Sequence, residues 1–231
     1  MKFREKEKIL RQIEEKSYEE ELDENDYKIL NELSYDKEVM IRDLVAEILV
    51  ESSNEKGEEI LLRLTNDKEW LVRADACDSL CISESVTTYN LLKKIAKKDT
   101  SGYVRGYAIL SLGDIADKIN KEDELLEYLE DRLKHEKVQF TKINICTVLY
   151  NLGRKEYFGK LLSMINSKKY TNRGAVVNCL KYIANESNRD MIINVLLEHK
   201  KKETAMSVIY TINDAIKEIE EMDEMEEDSD E

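Results

Sequence analysis

The sequence predicts an all-α protein, built as a right-handed solenoid of about six stacked two-helix repeats behind an N-terminal capping helix. Three observations carry the core of that prediction. Charged residues make up 37% of the 231 positions, glycine numbers seven and proline is absent. Helices tolerate such a composition, whereas sandwiches and barrels normally place Gly and Pro at their many turns. A motif also returns. "DKEVMIRDLVAEIL" at 36–49, "DKEWLVRADACDSL" at 67–80 and "DTSGYVRGYAILSL" at 99–112 each hold an Asp, an Arg six residues later and a Leu seven residues after that. The steps between the arginines, 31 and 32 residues, are those of a helical repeat array.

Each element follows from that frame. Aligned on Arg42, Arg73 and Arg105, an apolar residue stands one position before (Ile41, Val72, Val104). Small or apolar residues stand three and four positions after: Val45 and Ala46, Ala76 and Cys77, Ala108 and Ile109. Leu49, Leu80 and Leu112 close the pattern at seven. These offsets trace one stripe of a helix, here called helix B. Weaker copies follow at Lys142, Arg173 and Ala205, after steps of 37, 31 and 32 residues. Upstream of every copy an apolar pair marks a helix A: Leu30/Leu33, Leu61/Leu64, Leu92/Ile95, Leu129/Leu133, Leu161/Ile165 and Ile193/Leu196. The Asp falls at the A–B turn, where its carboxylate can cap helix B. One such unit cannot bury its stripe alone, so units stack. Residues 3–16 read as an extra helix that hides the first apolar face. The expected organisation is a capping helix and linker over 1–25, the repeats over 26–217 and an acidic, disordered tail over 218–231.

The pairs Asp36/Arg42, Asp67/Arg73 and Asp99/Arg105, with the small and Leu positions behind each Arg, resemble the HEAT-repeat family. The resemblance is to the short phycobilisome-lyase-type repeats of bacteria. "VRGYAILSLGDIAD" at 104–117 is the best single match, and the likeness spans roughly residues 26–217. It implies a superhelix with B helices on the concave side, and a structural ladder in which these six Asp and Arg residues link adjacent turns. The chain departs from the family in lacking the usual turn prolines: Lys37-Glu38, Lys68-Glu69 and Thr100-Ser101 stand there. The resemblance implies no single function, because one repeat fold hosts many.

Charge and chemistry exclude more than they assign. The net charge is −14, and ten acidic residues with no basic one fall in 218–231, leaving −4 on the rest. Nucleic-acid binding draws on clustered Lys and Arg, and this balance opposes it. The N-terminal "MKFREKEKIL" lacks the apolar segment of a signal peptide, and no stretch is apolar enough to span a bilayer. A cytoplasmic protein is expected. Cys77, Cys81, Cys146 and Cys179 form no Cys-x-x-Cys pair and read as free thiols. With two histidines, His135 and His199, and neither in an HExxH motif, no metal site is expected. No cofactor and no catalytic residue is expected either. DNA glycosylases of HEAT-like fold, as the resemblance frames them, need a basic face and aromatic residues around an Asp. Here Trp70, the only Trp, reads as a turn residue packed on the neighbouring repeat.

What remains is the concave face. Offsets of two, five and nine from the slot residue point away from the stripe. They give Leu44, Glu47 and Glu51; Asp75, Asp78 and Ile82; Tyr107, Leu110 and Asp114; Asn144, Thr147 and Asn151; Ala175, Asn178 and Tyr182; and Ser207, Tyr210 and Asp214. The first half is acidic, and Tyr107, Tyr182 and Tyr210 are of the type enriched at interfaces. The expected partner-binding set is therefore Glu47, Glu51, Asp75, Asp78, Tyr107, Asp114, Tyr182 and Tyr210. The reading is a non-catalytic, monomeric scaffold or inhibitor that takes a basic protein segment, an immunity-type protein being its narrower version. The alternatives are a glycosylase-like HEAT enzyme and a bilin-lyase accessory subunit.

Overall fold

The computed structural model describes residues 1–51 and 54–227, with side chains at all of these except 51 and 222–227. The described residues contain thirteen α-helices and no strand. After α1 (Phe3–Glu19) the helices alternate as A and B. The first three pairs are α2 (Glu24–Leu33) with α3 (Val39–Ile48), α4 (Glu55–Leu64) with α5 (Trp70–Asp78), and α6 (Val86–Lys98) with α7 (Gly102–Lys118). The next three are α8 (Glu122–His135) with α9 (Gln139–Asn151), α10 (Glu156–Met164) with α11 (Tyr170–Tyr182), and α12 (Arg189–Lys200) with α13 (Met206–Glu227). The fold is thus an all-α array of six two-helix repeats, of the α-solenoid class. It divides into two compact units, Met1–Arg132 and Leu133–Glu231.

In the first unit the repeated stripe is the core. Ile41, Val45, Leu49, Val72, Ala76, Cys77, Val104, Ala108, Ile109 and Leu112 are all fully buried. The A helices face them with Leu30, Leu33, Leu61, Leu64 and Leu92. Burying each such side chain contributes about 1.5–3 kcal/mol before entropy is counted. The added N-terminal helix α1 packs on α3 and buries Leu10 and Ile13. Polar caps fix the A-helix starts: Asp23 accepts from the amides of Asn25 and Asp26, Asn54 from Lys56, and Ser85 from Thr87 and Thr88. The turn aspartates act one step earlier than a helix-B cap. Asp36, Asp67 and Asp99 accept from the amides of Glu38, Glu69 and Ser101, which are themselves the N-cap residues. Each Asp thus closes the turn that aims helix B, while its second oxygen stays available for another donor.

Helices α3 and α5 tighten into 3₁₀ turns at Leu49–Glu51 and Ser79–Ile82. Such tightening frees carbonyls near the helix end. Serines of the next repeat take them: Ser79 Oγ donates to Ala46 O at 2.8 Å and Ser111 Oγ to Cys77 O at 2.7 Å.

In the second unit α9 is buried around most of its circumference. Asn144 and Thr147, expected to face outward, are instead buried. Asn144 Oδ1 accepts from Cys179 Sγ at 3.6 Å, and Thr147 Oγ1 donates to Ile143 O within its own helix. Leu44 in the first unit is a similar correction, buried where an outward position was expected. On α12 the buried residue is Ile192 rather than Ile193, paired with Leu196 as expected. The turn after α9 uses Gly153 at φ +89°, a conformation that favours glycine. Helix α13 buries Val208, Ile212, Ala215 and Ile219, so the first residues of the expected tail belong to a packed helix. Where disorder was expected, α13 runs on through the tail as far as Glu227, and residues 228–231 lie outside the described residues. No helix among the described residues is long and apolar enough to cross a membrane.

Candidate functional site

The recurring charges form a rail between neighbouring repeats. Arg42 forks onto Asp67, with Nε and one terminal nitrogen donating to the two carboxylate oxygens at 2.6 and 2.9 Å. Its other terminal nitrogen donates to the carbonyl of Asp36 at 2.7 Å. Arg73 repeats this on Asp99, at 2.8 and 3.0 Å, and on the carbonyl of Asp67 at 2.9 Å. Arg105 donates to the carbonyl of Asp99 at 2.8 Å, and Lys6 of α1 pairs with Asp36. Arg and Asp on the rail are largely shielded from solvent, and the bidentate geometry favours the charged forms of both. The carboxyls of Asp36 and Asp67 lie below the usual range: burial raises them, but the hydrogen bonds from Lys6 and Arg42 and the turn amides outweigh it.

In the second unit the same mechanical role passes to other residues. Arg173 forks onto Glu203 at 2.6 Å on both arms and donates to the Ser167 carbonyl at 2.9 Å. Glu203 also accepts from the amides of Thr204 and Ala205 and sits 3.2 Å from His199 Nε2. Between the fourth and fifth repeats the link is neutral. Gln139 Oε1 accepts from Ser167 Oγ and from Asn172 Nδ2, each at 3.0 Å.

The partner-binding candidates divide between the two units. In the first, Glu47 on α3 is exposed, while Asp75 and Asp78 on α5 and Tyr107 and Asp114 on α7 are half-buried. The Glu51 side chain lies outside the described residues. In the second unit Tyr182 on α11 and Tyr210 on α13 are 53% and 66% exposed. Tyr210 borders a shallow hollow of about 560 Å³ with Asn178, Asp214 and Lys217. Trp70 lies 5.2 Å from the ring of Tyr103 on the neighbouring repeat, as expected of a turn residue. Another hollow, about 560 Å³ between α2 and α4, is lined by Tyr27, Tyr35 and Arg63 together with Glu24 and Glu59, and none of the partner-binding candidates lines it.

A residue that the outward offsets passed over completes the acidic group. Asp43 follows Arg42 directly and is only 6% exposed. Its Oδ1 is buried without a hydrogen-bond partner. Carboxylate oxygens of Asp43, Glu47 and Asp75 lie within 4.8 Å of one another. Such crowding disfavours full ionisation. The Asp75 carboxyl is pushed up to about 8 by burial, by its hydrogen bond to Asp43 and by the charges of Asp43, Glu47 and Asp78. Burial, then the charge of Asp114, raises Asp78 to about 6. Burial and Asp43 raise Glu47 as well, against the opposing effect of Arg11. A signal for Asp43 did exist in the sequence. The residue after the slot is Ala74, Gly106, Ile143 and Gly174 in the following copies, so this position accommodates small or apolar side chains and Asp43 is the charged exception.

Stacked helix pairs joined by an arginine–carboxylate rail define a helical-repeat protein. Residues 28–113 match the family model described as HEAT repeats. The fold is shared with the complex of CpcE and CpcF of phycocyanin lyase from Nostoc sp. PCC7120, at 15% identity and a TM-score of 0.53, covering 84% of this chain and 83% of that one. Human deoxyhypusine hydroxylase in complex with glycerol also aligns, at 12% identity and a TM-score of 0.44, over 92% of this chain and 88% of that one. No curated protein sequence matches the chain.

Proposed function

We propose that this protein is a non-catalytic, cytoplasmic interaction scaffold or inhibitor that binds a basic segment of a partner protein as a monomer. The contact runs along the B helices expected to line a concave face: Glu47, Glu51, Asp75, Asp78 and Asp114, with Tyr107 beside them and Tyr182 and Tyr210 on the second unit. One observation supports it above the others. Carboxylate oxygens of Asp43, Glu47 and Asp75 crowd within 4.8 Å of one another on α3 and α5. Folding alone gains nothing from such an arrangement, whereas a cationic segment relieves the repulsion and is steered toward it. An immunity-type protein that covers a basic toxin is the narrower form of this reading.

The test uses a Lys/Arg-rich peptide of about 15 residues and its Glu-substituted counterpart, followed by fluorescence anisotropy. The basic peptide is expected to bind, and to bind less well as salt rises. Joint reversal of Glu47→Lys and Asp78→Lys should abolish the binding with the helical signal intact. Truncation after Glu221 keeps buried Ile219 and should leave it in place. Binding that survives the reversals and disappears on truncation assigns the contact to the tail and refutes the proposal.

A further inference from the structure

We propose that Asp43 and Glu47 of α3 and Asp75 of α5 form a binding site for a hard divalent cation, Ca²⁺, Mg²⁺ or Mn²⁺. Helix periodicity and the repeat bring the three together. Asp43 and Glu47 are four residues apart and share a face of α3. Asp75 comes from the following B helix, and α3 packs directly on α5. The result is three carboxylate oxygens within 4.8 Å of one another, close enough to share one ion whose oxygen ligands stand 2.0–2.6 Å away.

Asp43 points to a ligand independently of the crowding. Its side chain occupies a buried position where later repeats carry Ala74 and Gly106, and its Oδ1 meets no hydrogen-bond donor. A buried carboxylate oxygen without a partner is costly, and a bound cation removes that cost. The donor set is all carboxylate, with no thiol or imidazole, which selects a hard ion over zinc or copper. For this reason a scarcity of histidine does not argue against the site. Exposed Glu47 forms the open side, where water completes the coordination shell. Charged groups nearby include Asp78, and Glu14 and Arg11 of α1. Arg11 is a nearby cation, and its guanidinium is held by Glu14 at 2.6 Å. This inference concerns the metal alone and does not rest on the basic-peptide reading.

Calorimetric titration of the full chain with CaCl₂, MgCl₂ and MnCl₂, with electron paramagnetic resonance of bound Mn²⁺, tests it. One ion should bind per chain. The thermal midpoint should rise with the ion present. Asp75→Asn and Glu47→Gln alter partly exposed groups and should fold, and each should weaken binding by at least about tenfold. Two results overturn the proposal. One is the lack of saturable binding by all three ions at the ~10⁻³ M scale of weak Ca²⁺ modules, which would leave a shared proton or Arg11 as the counter-charge. The other is binding of equal strength in both variants, which would place the ion on the acidic C-terminal segment.

Discussion

In the first unit Arg42 and Arg73 reach aspartates 25 and 26 residues ahead; in the second, Arg173 reaches a glutamate 30 residues ahead. The difference in reach has a local cause. In the sixth copy the position six residues before the slot residue is His199 rather than Asp. Glu203, four residues later, supplies the carboxylate, and its two backbone bonds to Thr204 and Ala205 reproduce the turn closure that Asp67 and Asp99 provide. One rung earlier, Ser167 and Gln139 do without charge altogether. What the array requires is therefore a tether from one A–B turn to the next, and several chemistries meet that requirement. The acidic crowding around Asp43, by contrast, has no counterpart among the described residues of the second unit. There Lys181 pairs with Glu218 at 2.8 Å and lies 4.0 Å from Asp214. Charge recurring in step with the repeat fits architecture; charge gathered at one pair of repeats is a candidate for ligand binding.

This contrast can be broken rung by rung. Arg73→Ala leaves Asp99 shielded without its guanidinium and should cost about 3–5 kcal/mol in urea unfolding. Lys142→Ala, at the equivalent slot of the fourth repeat, should stay within about 0.5 kcal/mol, because the Gln139 link carries that rung. Equal losses would mean that the rail contributes no more than a surface charge. Leu112→Ala should cost about 2–5 kcal/mol, since the side chain is fully buried on the central stripe. Leu110→Ala, half-buried, should cost clearly less. Gln139→Ala should cost about 1 kcal/mol, as expected for a neutral hydrogen-bonded link.

Much of the architecture was legible because packing imposes a period. The stripe at Val72, Ala76, Cys77 and Leu80 could be read from spacing alone, and so could the Arg42, Arg73 and Arg105 slots. The rung at Glu203 was not, because a longer side chain from a shifted position replaces the periodic one. The outward positions were read well where a B helix keeps one open face, as at Glu47, Tyr182 and Tyr210. They failed at Leu44, Asn144 and Thr147, where neighbouring helices cover more of the circumference than a single stripe implies. Asp43 was overlooked for a related reason: a scan for outward-facing charge passes over a charge placed inward. Comparison of like positions between copies would have exposed it.

Glu203 and Asp75 should contribute to the pH dependence of stability in opposite directions. Glu203 is held below its usual range, first by Arg173, then by the Ala205 and Thr204 amides and His199, with burial opposing. A carboxyl depressed in the fold contributes stability that is present above its unfolded value near 4.5 and lost as pH falls below it. Asp75 is raised in the fold, from an ordinary 3.8 to about 8. Between those two values the folded chain holds a proton that the unfolded chain has released, so Asp75 makes stability decline as pH rises from about 4 to 8. Urea unfolding at pH 3.5, 6 and 8.5 separates the two. Glu203→Gln should be destabilising at pH 6 and 8.5, with the gap to the wild type narrowing at pH 3.5. Asp75→Asn should gain stability relative to the wild type as pH rises, most of all at 8.5. A saturating divalent cation should reduce that gain, because the ion stabilises the ionised Asp75 that the variant lacks. If Asp75→Asn instead tracks the wild type across the whole range, the carboxylates of α3 and α5 do not interact strongly enough to hold either a proton or an ion.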